Sequence, residues 1–109
     1  MSENPLESSR LRFDRGSLAD FCRRWKVRRL EAFGSIVRED FGPDSDVDLL
    51  VTFAPDADWS LFDHLQMTGE LRAILARDVD LVSRRAVERS HNWIRREAIL
   101  GSSRPFYDA

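Results

Sequence analysis

Asp46-Val47-Asp48 sets two carboxylates two residues apart, ten residues after a Gly34-Ser35 pair. The residue types and the spacing say what chemistry they could share. On a strand, side chains at i and i+2 project to one face, so Asp46 and Asp48 can serve one site. Mg²⁺ takes one or two protein carboxylates and completes its octahedron with water and phosphate oxygens. A Gly-Ser turn lets bare backbone N–H groups and a hydroxyl approach phosphate, because glycine lacks the Cβ that would stand in the way. An isolated Asp-x-Asp before a strand commonly serves a turn or a cap. Joined to Gly34-Ser35 and leading into an apolar strand, it points to metal-assisted chemistry on a phosphate.

The elements that must position these residues can be read along the chain. Ser17 opens a helix, with Asp20 three residues on as a variant capping box. Leu18, Phe21, Cys22 and Trp25 follow the stripe of a helix packed on a core. Val27–Phe33 reads as a strand ending at Gly34-Ser35; a short helical turn over 36–40 follows, and Gly42-Pro43-Asp44 punctuates the loop. Val47–Phe53 is the clearest strand. Ser60 with Asp63 caps a helix reaching Ala76, with Leu61, Leu65, Thr68, Leu71, Ile74 and Leu75 expected inward. Gly69 weakens that helix by about 1 kcal/mol relative to alanine.

Val79-Asp80-Leu81-Val82 repeats the aspartate-then-aliphatic order of Val47-Asp48-Leu49-Leu50, as two neighbouring strands would if both delivered a carboxylate to one site. Asp78 and Asp80 share a face of that strand, so alternation alone leaves both open. Ser90 is expected to cap a last helix through about Leu100, with Trp93, Ile94 and Ala98 inward, and Phe106-Tyr107 to add a short edge strand. Residues 1–16 form a flexible arm in this reading, and 17–109 a single domain. Helices alternating with strands imply an α/β (α+β) fold, a small mixed β-sheet flanked by helices.

Gly34, Ser35, Arg38, Ser45, Asp46 and Asp48, with Asp80 further on, resemble the pattern of the nucleotidyltransferase superfamily that includes DNA polymerase β, in its minimal single-domain branch. The resemblance spans about Ser17 to Leu100. It implies a polymerase β-like nucleotidyltransferase fold, ATP as substrate, and two Mg²⁺ ions held by Asp46, Asp48 and Asp80. It implies that Asp80 accepts the proton of the attacking hydroxyl, and that Gly34, Ser35, Arg38 and Ser45 bind the nucleotide. Many minimal members resemble the MNT antitoxin of MNT/HEPN toxin–antitoxin pairs, which implies AMP transfer to a hydroxyl, a tyrosine, of a HEPN-type toxin. Two departures stand out. Members often carry glycine after the arginine and an apolar residue near the end of the first strand, where this chain has Glu39 and Glu31. Glu39 places a negative charge near the phosphate path. An antitoxin that neutralises its partner by binding, with weak or no catalysis, is the alternative.

Composition bounds the remaining choices. A chain of 109 residues supports one compact domain, burying roughly two-thirds of its unfolded surface, which leaves no room for a separate acceptor-binding domain. The acceptor is therefore expected on another protein chain, in a hetero-oligomer with the toxin or a homo-oligomer. A net charge of −2 argues against a general nucleic-acid binder. No apolar run suits a membrane helix, and the first residues do not read as a signal peptide; a cytoplasmic location is expected. Cys22 stands alone, which excludes a disulfide framework and favours a core thiol. His64 and His91 lack metal-ligand spacing and read as surface or packing histidines, and Trp59 and Trp93 as core or interface anchors. Arg23-Arg24-Trp25-Lys26-Val27-Arg28-Arg29 is a dense basic segment, either cations at a helix end or part of a partner-facing surface.

Overall fold

The computed structural model describes residues 13–34 and 45–108, the last three by backbone alone. The elements run α1 (Arg15–Arg24), β1 (Val27–Phe33), β2 (Val47–Phe53), α2 (Leu61–Leu75), β3 (Val79–Ser83), α3 (Arg84–Glu88), α4 (Trp93–Ser102) and β4 (Arg104–Asp108). The four strands lie in the order β3-β2-β1-β4. β1 is antiparallel to both β2 and β4, while β2 and β3 are parallel and joined through α2. This is the small mixed sheet flanked by helices that the alternation of elements implies. The expected helical turn over 36–40 and its loop lie outside the described residues, as do residues 1–12.

Local signals account for most boundaries. Asp14, not Ser17, caps α1: its carboxylate accepts from Ser17 N at 3.0 Å and Ser17 Oγ at 2.7 Å, so the cap lies three residues earlier than expected. These bonds to the charged form hold the Asp14 carboxyl below its ordinary range. The Ser60–Asp63 capping box forms in full at the start of α2. α4 begins from Asn92, whose side chain accepts from Arg95 N at 3.1 Å, rather than from Ser90.

Strand alternation divides the sheet into two unequal faces. Leu30 and Ala32 of β1, Val47, Leu49 and Val51 of β2 and Leu81 of β3 pack beneath α1 and α2, against Leu18, Phe21, Cys22, Met67, Leu71 and Leu75. Cys22 is a core thiol here, and burial pushes it up to about 12. Trp25 and Trp59 close one end, edge to face at 5.1 Å, with Trp59 Nε1 donating to the Trp25 carbonyl at 3.0 Å. The opposite face holds a much smaller cluster of Phe33, Leu50, Val87 and Ile99 under α3 and α4.

Two helical stripes differ from expectation. On α2, Leu61 and Leu65 are 76% and 62% exposed, and the inward line runs through Met67, Leu71 and Leu75, with His64 and Thr68 half-buried. His64 has a reason to face inward. Val47 N donates to the Asp78 carbonyl, so alternation turns the polar groups of Leu81 away from β2, towards the open edge of the sheet. There His64 Nε2 meets the Leu81 carbonyl at 2.7 Å, satisfying an edge group that no described strand pairs. On α4, Trp93, Ile94 and Ala98 all face solvent and only Ile99 is fully buried, because the helix meets the sheet with its C-terminal half.

Candidate active site

Gly34, Asp48 and Asp80 come together at one end of the sheet, although three different strands lead to them, and Asp46 lies at the same end. Phe33, the last residue of β1, is the register partner of Asp48 near the start of β2. Asp48 is in turn the register partner of Asp80 near the start of β3. Register partners on adjacent strands project to the same face. Asp48 and Asp80 therefore share a face with Leu50 and Val82, the thinly covered one under α3 and α4. Asp46 precedes β2 by one residue and is exposed, as is Asp80; Asp48 is half-buried.

Gly34 contributes in a way its sequence context does not reveal. Its φ is +73°, a left-handed backbone that glycine adopts without strain. A Cβ on Gly34 would overlap Asp48 Oδ2. The missing side chain thus makes space for the Asp48 carboxylate against the end of β1, before any phosphate is considered.

The choice between Asp78 and Asp80 is sharpened by an ion pair. Asp78 lies 2.8 Å from Arg72 Nη2, which ties it to α2. Asp80 has no such pair among the described residues and sits beside Asp48. Ser45 is half-buried, and its carbonyl accepts from Arg77 Nη2 at 2.8 Å. An open groove of about 580 Å³ lies beside Ser45 and Asp46 and runs along Gly69, Arg72 and Ala73 of α2; Asp48 and Asp80 do not line it. Ser35, Arg38 and Glu39 lie outside the described residues.

Hard carboxylate oxygens are the donor set that Mg²⁺ prefers, and like charges placed side by side on paired strands repel. The Asp48–Asp80 pairing and the space left by Gly34 fit a cation-binding strand end. Among the described residues, no three His, Cys, Asp or Glu side chains are gathered closely enough to hold an ion. The site is an open strand end, not a closed cage.

Glu31, the departure from an apolar residue in β1, is the one buried charged side chain among the described residues. Arg84 Nη1 donates to its Oε1 at 2.9 Å, and Ser103 Oγ to its Oε2 at 3.0 Å. The carboxylate links β1 to the start of α3, directly after β3, and to the residue before β4. No sequence signal identified this link, because its partners are 53 and 72 residues away.

The model of the nucleotidyltransferase domain family matches residues 15–104. The chain belongs to that family. A solved structure assigned as a minimal nucleotidyltransferase is 33% identical, with 97% of this chain covering 100% of that one at a TM-score of 0.65. A toxin–antitoxin complex with AMP-PNP shares the fold at 20% identity and a TM-score of 0.66, covering 86% of this chain and 73% of that one. So does a complex of a tri-AMPylated Shewanella oneidensis HEPN toxin with its MNT antitoxin, at 19% identity and a TM-score of 0.58, covering 86% of this chain and 69% of that one. No curated protein matches the chain. Family membership makes nucleotidyl transfer the general chemistry of this nucleotidyltransferase domain.

Proposed function

We propose that this nucleotidyltransferase moves AMP from ATP to a hydroxyl, a tyrosine, on a HEPN-type toxin, and so acts as the antitoxin of a pair. The observation that carries the reading is the Asp48–Asp80 register pairing beside Gly34 in a chain of this family. The shared fold with complexes of an AMP-PNP-bound toxin–antitoxin and an AMPylated HEPN toxin supports the choice of nucleotide and acceptor.

In this reading, Asp46, Asp48 and Asp80 would hold Mg²⁺, which when bound supplies charge stabilisation to the attacking and leaving oxygens. Gly34 and the Ser35 amide and hydroxyl receive the triphosphate, with Arg38 adding a charged contact and Ser45 lining the nucleotide side. The acceptor oxygen attacks the α-phosphorus in line. Its proton passes to Asp80, and the bond to the bridging oxygen breaks to release pyrophosphate. The acceptor arrives on a second chain, and the pair works in the cytoplasm.

The test incubates the protein with labelled ATP, Mg²⁺ and the product of the adjacent gene. Mass spectrometry is expected to find one or more AMP units on a tyrosine of that product, and none with the Asp46→Ala/Asp48→Ala protein. Neutralisation without modification would favour the second reading, a docking antitoxin. The solvent-facing Trp93 and Ile94 offer a surface for docking with or without chemistry.

A further inference from the structure

Helix α4 keeps only Ile99 fully buried, while Trp93 and Ile94, next to each other at its start, are 63% and 65% exposed. Tryptophan spends hydrophobic area in water only at a cost, and it is the residue type most enriched where interfaces concentrate their affinity. Charge around the pair is as uneven as its burial. Residues 84–104 hold six arginines and two glutamates, in a chain whose net charge is −2. Arg84 is taken up by Glu31 and Glu88, but Arg85, Arg89 and Arg95 are exposed and pair with no described carboxylate.

We infer that the α3–α4 surface, which exposes Trp93 and Ile94 together with Arg85, Arg89 and Arg95, docks an acidic, apolar face of the protein that carries the acceptor hydroxyl. The inference rests on the reading that the acceptor belongs to a second chain, and it names where that chain sits. Position favours this surface over the other exposed apolar patch among the described residues, Leu61, Phe62 and Leu65 on α2. α2 packs on the face opposite Asp48 and Asp80, whereas α4 packs through Ile99 onto Phe33 and Leu50, on the carboxylates' own face. A partner seated on α4 is held on the side of the sheet where its hydroxyl is needed. Charge favours a different protein over a second copy, because a two-fold contact through this surface would set arginines against arginines. RNA also attracts arginine, but the branched aliphatic Ile94 beside Trp93 gains from apolar packing and not from base stacking.

The test measures, by calorimetry with full-length protein, binding to the purified product of the adjacent gene. Trp93→Ala/Ile94→Ala is expected to weaken Kd by about tenfold or more, with ATP binding and thermal unfolding unchanged. Arg85→Glu/Arg89→Glu/Arg95→Glu is expected to weaken it as well and to flatten its dependence on salt. Unchanged affinity in both variants, or no binding by the unaltered protein, overturns the inference. So does loss of affinity only in Leu61→Ala/Phe62→Ala/Leu65→Ala. Concentration-dependent self-association that Trp93→Ala abolishes would assign the surface to a second copy, and Trp93-dependent binding of a short single-stranded RNA to nucleic acid; either result overturns it too. The two readings fail separately. Docking through α4 without any AMP transfer would remove the transferase reading alone, and transfer that survives loss of the α4 surface would remove this one alone.

Discussion

The two faces of the sheet are built to different standards. Under α1 and α2, every strand of the β1–β2–β3 group sends buried aliphatic side chains into one continuous core with Leu18, Phe21, Met67 and Leu71. Under α3 and α4, four buried residues suffice, a charged pair replaces part of the apolar contact, and two carboxylates stand on neighbouring strands. One face secures the strands. The other spends that security on groups that repel each other and on apolar side chains left in water. A site that gathers charge needs a scaffold whose stability comes from elsewhere, and here the division follows the pleat itself.

That contrast can be broken most severely from the filled face. Phe21 is fully buried, so Phe21→Ala is expected to cost about 3–5 kcal/mol, read as a large drop in the urea midpoint or as a chain that fails to fold. On the other face, Asp48→Asn is expected to reduce AMP transfer by about a hundredfold or more, near 2.7 kcal/mol in barrier height. Its thermal unfolding should stay within a few degrees of the parent, because a charge is removed and no packing is lost. A protein that kept its transfer rate would take Asp48 out of the site.

Glu31→Gln sharpens the comparison at the seam between the faces. It leaves Arg84 without its buried partner, and the expected loss is about 1–3 kcal/mol. A double-mutant cycle with Arg84→Met should return a coupling that accounts for most of that loss. Gly34→Ala is expected to cost about 1–2 kcal/mol, because its φ of +73° disfavours a side chain. It should also depress transfer, because the added Cβ displaces Asp48 Oδ2. Transfer equal to the parent, in a folded Gly34→Ala protein, would show that the carboxylate does not need that space. Trp93→Ala should change stability least, by under about 0.5 kcal/mol, since the ring is mostly in solvent; a loss above 2 kcal/mol would place it in the core after all.

Much of the candidate site could be proposed before any fold was known, and the reason is local. The residues proposed to bear on phosphate and metal are short-range patterns: Gly34-Ser35 after the first strand, Asp46 and Asp48 two apart, an aspartate followed by aliphatics at Asp80. The dense basic segment shows the limit of such reading. Arg23 and Arg24 pair with Asp20, Arg24 also with Glu70, and Lys26 with Asp56, so three of the five cations that stood out in the sequence are answered within the chain. The less conspicuous arginines at 85, 89 and 95 are exposed and pair with no described carboxylate. Charge density is a sequence property; whether a charge is already answered depends on residues tens of positions away.

The sequence by itself determined the strands β1 and β2, the capping box of α2, the core stripe of α1 and the α/β alternation, because hydrophobic period and cap chemistry act over a few residues. Only the tertiary structure decided that Asp48 faces Asp80, that Asp78 belongs to Arg72, and that Glu31 is buried against Arg84. It also decided which apolar residues of α2 and α4 lie inward. Leu61, Leu65, Trp93 and Ile94 are exposed near their helix starts, and periodicity records a helix's apolar side but not which part of it the neighbouring layer covers. Register across strands and the extent of a packed face are set by non-local pairing, so they appear only when the chain has folded.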